Sequence, residues 1–123
     1  MNVWFAIAAG VSAFTCVLHV VLGGREAARP LLDDTNLSQV AKFTNYYCWH
    51  LVTIAIGALS AAFAVASTTG TASELAAFAT STACLFGLLS LGLIAKYKLH
   101  PLQFGQWVLF LPIALLGFIG FIS

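Results

Sequence analysis

The sequence predicts an all-α fold: an integral membrane four-helix bundle with its N- and C-termini on the same, non-cytoplasmic side. Three observations predict it. The mean hydropathy is +0.99. Hydrophobic residues make up 61% of the chain and charged ones 7%, against roughly 25% charged in soluble domains. The apolar residues also fall into four stretches, 3–23, 46–67, 75–95 and 106–122. A soluble chain of 123 residues has too much surface to hide this apolar area, whereas lipid can cover it. The length allows one domain, residues 1–123.

Each stretch approaches the roughly 20 residues that carry a helix across about 30 Å of hydrocarbon. Span one, 3–23, resembles a signal peptide in length, but Met1 and Asn2 give no basic n-region and no A-x-A-like site follows, so it is expected to be a retained span. Gly23 and Gly24 then read as a helix stop. The segment 24–43 reads as a long interfacial loop interrupted by Pro30, with Leu37, Val40 and Ala41 at helical spacing suggesting an interfacial helix that runs into span two, 46–67. Span three, 75–95, follows a short connection. Span four, 106–122, carries Pro112, which removes one backbone hydrogen bond and is expected to kink it.

An even number of spans puts both termini on one side and the loops after spans one and three on the other. All five basic residues, Arg25, Arg29, Lys42, Lys96 and Lys98, fall in or beside those two loops, and 68–74 carries none. The positive-inside rule therefore makes those loops cytoplasmic, and a bacterial inner (plasma) membrane is the expected location. Trp4 at one boundary, and Tyr46, Tyr47, Trp49, Tyr97 and Trp107 at the other, fit aromatic belts. Cys16, Cys48 and Cys84 are odd in number and lack C-x-x-C spacing, which predicts thiols and excludes paired-cysteine redox chemistry. A net charge of +1 and no basic stripe argue against a nucleic-acid partner; the bilayer itself is the first expected one.

Helical projection at 100° per residue collects the polar and small residues into seams. Span one aligns Ala8, Ser12, Thr15, Cys16, His19 and Gly23, with Phe14, Leu18 and Val21 turned away. Span two aligns Tyr46, His50, Thr53, Gly57, Ser60, Ala61 and Ala64. Span three aligns Thr80, Ala83, Gly87 and Ser90. Small residues let membrane helices approach closely, so these seams are expected to pack on one another with the histidines directed inward.

The three histidines share the side of the basic loops. His19 lies roughly 7 Å inside span one and His50 roughly 12 Å along its helix from Lys42, at 1.5 Å per residue. His100, beside Pro101, sits in the loop capping the same end. The sequence thus nominates His19, His50 and His100 as metal ligands. His19, His50, Tyr46 and Gln106 are the candidates for a cofactor site. Imidazole suits zinc, copper, iron and nickel, and two inward histidines suit haem iron. A histidine at the lipid boundary equally suits a quinone-like ligand or a proton. The plainer reading is that His19 and His50 each bond a Ser, Thr or carbonyl on the next helix and that His100 is a solvated or capping loop residue. Asp33 and Asp34 read as turn and capping residues rather than a catalytic pair. No residue reads as an activated nucleophile; catalysis on a lipid or isoprenoid would rest on His50 as base, and ranks last.

Residues 19–32 (HVVLGGREAARPLL), the pair Trp49-His50 and the pair Gln106-Trp107 resemble a group of small uncharacterised bacterial four-span membrane proteins over most of the chain. The resemblance implies the four-span fold and no activity. Small multidrug transporters fit less well, because they need an acidic residue inside span one. Two functions from different classes follow. One is a histidine-lined metal, haem or quinone-like ligand site at the cytoplasmic boundary. The other is a non-catalytic accessory or assembly subunit of a larger respiratory- or photosynthetic-type membrane complex, or a homo-oligomer.

Overall fold

A computed structural model describes residues 1–123 as four helices and no strands: α1 (Val3–Asp33), α2 (Gln39–Thr69), α3 (Ser73–Tyr97) and α4 (Gln106–Ile122). The first three are long and apolar enough to cross a membrane, and α4 is a shorter apolar helix. α1 packs against both α2 and α4, α4 against α3, and α3 against α2, so the four close into a ring. The α4 bounds coincide with those read from the sequence, and Pro112 is carried inside the helix on its exposed side.

Asn2 explains how the ring is tied at one end. Its Oδ1 accepts from the backbone N–H groups of Trp4 (3.0 Å) and Phe5 (3.2 Å), capping α1. Its Nδ2 donates to the Gly120 carbonyl of α4 at 2.7 Å, and its own N–H donates to the Ser67 carbonyl of α2 at 2.9 Å. One residue thereby fixes three helix ends and brings the two termini together.

At the other end the structure corrects the sequence reading. Gly23 and Gly24 do not stop α1. The α-helical part Val3–Leu18 passes into a π-helical stretch, His19–Ala28, and a final α turn, Arg29–Asp33. The loop foreseen over 24–43 shrinks to 34–38. Glycine weakens a helix chiefly where water can take up the freed backbone groups, and near lipid the intrahelical bonds are the available alternative. The i→i+5 pattern also bears on Pro30, which has no N–H to give: the last broad turn closes just before it, with Arg29 N–H on the Gly24 carbonyl. The connection is made as the acidic pair suggested. Asp34 Oδ1 accepts from Asn36 N–H (2.6 Å) and Leu37 N–H (3.1 Å), and Ser38 caps α2 through Ala41 N–H. Lys42 Nζ donates to the Leu32 carbonyl at 2.9 Å, placing a cation on the negative end of α1.

The seams of α1 and α3 lie inward as expected: Ala8, Ser12, Thr15, Ala83, Gly87 and Ser90 are buried, and Phe14 and Val21 face out. The α2 seam does so only in part: Tyr46, Thr53 and Ser60 are half-buried, and Ser60 bonds α1. Gly57, Ala61 and Ala64 are exposed, and the buried face is Ile56, Leu59, Ala62, Phe63 and Ala66. The reason is complementarity. The small residues of α3 and α4 leave hollows that large side chains must fill, and Phe63 on α2 and Leu111 on α4 fill them. A Cβ on Gly117 would meet the Phe63 ring at 3.0 Å and collide with Thr80 Oγ1.

Gly117→Ala is therefore expected to destabilise the bundle by about 1–3 kcal/mol through overpacking. Gly57→Ala, whose Cβ meets nothing within 4 Å, should cost nothing. Unfolding of the two variants in mixed micelles reads the contrast; equal stabilities would refute the packing described.

Candidate functional site

Where α1 turns π-helical, His19 meets α2. Its Nε2 lies 3.2 Å from the Trp49 carbonyl. A carbonyl only accepts, so Nε2 carries the proton and, in the neutral ring, Nδ1 presents the lone pair. The imidazole also stacks on the Trp49 indole at a centroid distance of 4.9 Å and 23° between planes. The plainer expectation for His19, a bond to a carbonyl on the neighbouring helix, is what the structure shows. Cys16, one turn earlier, points its thiol at the Thr53 carbonyl instead.

Trp49 is the hub. Tyr46 lies parallel to it (6.1 Å, 2°), and His50 sits edge-on to both Tyr46 (4.5 Å) and Trp49 (4.9 Å). Tyr46 is half-buried and His50 exposed. His19, Tyr46 and His50 are thus gathered through one indole, but the three histidines do not converge. His100 is exposed in the α3–α4 connection, where its carbonyl takes the N–H groups of Gln103 and Phe104. No group of three or more His, Cys, Asp or Glu side chains is placed to hold a metal ion. The sequence treated Trp49 only as a belt residue, although the Trp49-His50 pair stood in the resemblance.

Beside this cluster lies a cleft of about 270 Å³ lined by residues of α1, α2 and α4, among them Thr15, His19, Gly23, Trp49, Gln106 and Phe110. A cavity of about 150 Å³ is enough for one benzene ring. Gln106, foreseen as a weaker candidate at the start of span four, therefore faces the same space as His19. Glycine at position 23 keeps that space open: a Cβ there would lie 3.6 Å from Trp49 Nε1 and 3.7 Å from His19 Nδ1. The indole nitrogen is enclosed and has no hydrogen-bond partner. The unpartnered indole N–H and the His19 Nδ1 lone pair thus both lie beside Gly23 on the wall of the cleft.

An orphaned buried donor costs about 1–3 kcal/mol, so the site is poised to gain that much from a group that accepts from Trp49. A carbonyl oxygen would satisfy the indole alone. A hydroxyl would satisfy both partners, accepting from Trp49 and donating to His19. A second cavity of about 200 Å³ shares Val52, Gln106 and Phe110 with the cleft and extends between α3 and α4. Comparison of the chain with protein-family models, curated proteins and solved structures finds no match.

His19→Ala removes the carbonyl bond and the stack together and is expected to lower stability by about 1–3 kcal/mol. His100→Ala should leave it unchanged, since that side chain is exposed. Matched unfolding curves test this, and equal losses at both positions would contradict the assignment.

Proposed function

We propose that this protein binds a lipid-soluble ligand whose head carries a hydroxyl or carbonyl oxygen on a ring, of the quinol and quinone class, at the cytoplasmic boundary of a bacterial inner membrane. The observation that carries the reading is the unpartnered Trp49 N–H and the free His19 Nδ1 lying together beside Gly23 on the cleft wall. The position of His19 near the basic end of α1 supports a ligand head held at that boundary. Trp49 and Phe110 give the cleft aromatic walls of the kind ring heads pack against.

A metal or haem fits the same position less well. His19 Nε2 is committed to a carbonyl, and the hydrogen of Trp49 Nε1 would present its positive end to a cation at Nδ1. His50, exposed and edge-on to two rings, stands apart from the cleft lining.

The test is saturable binding of 2,3-dimethoxy-5-methyl-1,4-benzoquinone and its reduced form to the protein in lipid nanodiscs, read by quenching of tryptophan fluorescence. Trp49→Phe loses the fluorophore that reads it, so that variant is followed by equilibrium dialysis. It is expected to bind about fivefold to tenfold more weakly, the worth of one hydrogen bond, and Gly23→Leu should abolish binding by filling the space. Unsaturable partitioning, identical in wild type and Gly23→Leu, would sink the proposal.

A second reading, an accessory subunit or homo-oligomer, has its own observation. Val40, Phe43, Tyr47, Leu51 and Ile54 form an exposed apolar line on α2 at spacings of three and four residues. At 1.5 Å per residue a 31-residue helix is about 46 Å long, more than the roughly 30 Å of hydrocarbon, so the polar end that carries Val40 and Phe43 beside Lys42 and Asn45 reaches beyond it. Val40→Glu with Phe43→Glu is expected to release a partner or second copy while leaving cleft binding intact. Wild type that is already a lone monomer in mild detergent would count against this reading.

A further inference from the structure

The second cavity differs in character from the cleft. Its walls are Val52 of α2, Phe86, Leu89 and Leu93 of α3, and Phe104 and Phe110 around the start of α4, with Ser90 behind them and Gln106 at the junction. Phe86 and Phe110 meet edge to face at 5.2 Å and make a stiff side to it. Leu89 is 61% exposed, so the groove opens at the outer side of α3. Three residues, Val52, Gln106 and Phe110, line both it and the cleft, so the two cavities lie side by side. The polar wall of the cleft and the apolar groove are thus neighbours across Val52, Gln106 and Phe110.

Resting on the ring-head reading above, we propose that this groove holds the hydrocarbon chain of the same ligand, so that the protein receives a head-and-tail lipid laterally from the bilayer. Lipid tails are as apolar as the groove, so no hydrophobic gain drives the chain in. What the groove supplies is packing against the Phe86 and Phe110 rings and a fixed depth for the head. The tail lies across Leu89 and Leu93, and the ring ends in the cleft with its oxygen beside the edges of the stacked His19 and Trp49 rings. Ser90 contributes a small side chain that leaves the groove its width; its buried hydroxyl is unpartnered and forms no bond with a hydrocarbon.

The test uses a benzoquinone bearing a ten-carbon chain with a diazirine at its midpoint, bound to the full chain in nanodiscs and photolysed, with labelled residues mapped by mass spectrometry. The expected result is labelling concentrated on Leu89, Leu93 and Phe104, and its loss in Leu89→Trp while the chain-free benzoquinone still binds the cleft as in wild type. Ser90→Ala should keep the labelling. Saturable binding of the head with label spread over Leu85, Leu88 and Phe118, which face lipid elsewhere, would overturn the groove and leave the cleft standing. Loss of groove labelling in Ser90→Ala would do the same, because it would mean that a polar group occupies the groove. Failure of the chain-free head to bind at all would overturn both.

Discussion

A polar group inside hydrocarbon has no water to turn to, and most of this structure follows from finding each one a partner within the chain. Asn2 spends its side chain on α1 and α4 and its backbone on α2. Ser60 donates to the Ala9 carbonyl at 2.9 Å, Cys16 to Thr53, and His19 to Trp49, three contacts that pin α1 to α2 along its length. The broad turns of His19–Ala28 obey the same demand, since they keep the backbone of a Gly-Gly pair hydrogen-bonded up to a proline. Against this background the exceptions are informative. Four enclosed side-chain atoms lack partners, on Ser12, Trp49, Thr80 and Ser90. Trp49 and Ser90 are the two that border cavities.

The π-helical stretch joins fold to site. Such turns are uncommon and concentrate where function needs an altered register. Here the stretch begins at His19 and includes Gly23, the residues that present the acceptor and the open cleft wall, and it ends by handing the chain to the turn whose Leu32 carbonyl Lys42 holds. An ordinary α-helix through the same residues would advance each by 100° and carry His19 and Gly23 to a different relation with Trp49. Architecture and candidate chemistry therefore depend on one local irregularity.

How much of this could be read from the chain varies with the kind of signal. The bounds of α4, the inward faces of α1 and α3 and the capping by Asp34 follow from hydropathy, periodicity and turn chemistry, which act locally. The face of α2 does not, because apolar residues lie on several of its sides and its inward side is chosen where Phe63 fills the hollow at Gly117 on α4. The length of α1 was hidden because Gly23, Gly24 and Pro30 are breakers in water, and their effect changes with the solvent. His19 and Gln106 were legible as residents of one end of the bundle, and the cleft unites them. Trp49 was not, since an aromatic near a boundary reads as an anchor until a neighbour's ring and an empty position are seen beside it.

The account turns on the hydrogen positions of two rings. Nitrogen-15 NMR of the protein in bilayers, with labelled histidine and tryptophan, reports them directly. His19 is predicted to carry its proton on Nε2, with the Trp49 indole signal moving downfield when a hydroxylated or quinonoid ring compound is added and staying in place in Gly23→Leu. A proton on Nδ1, or an indole signal indifferent to every such compound, would contradict the site on which the functional reading stands.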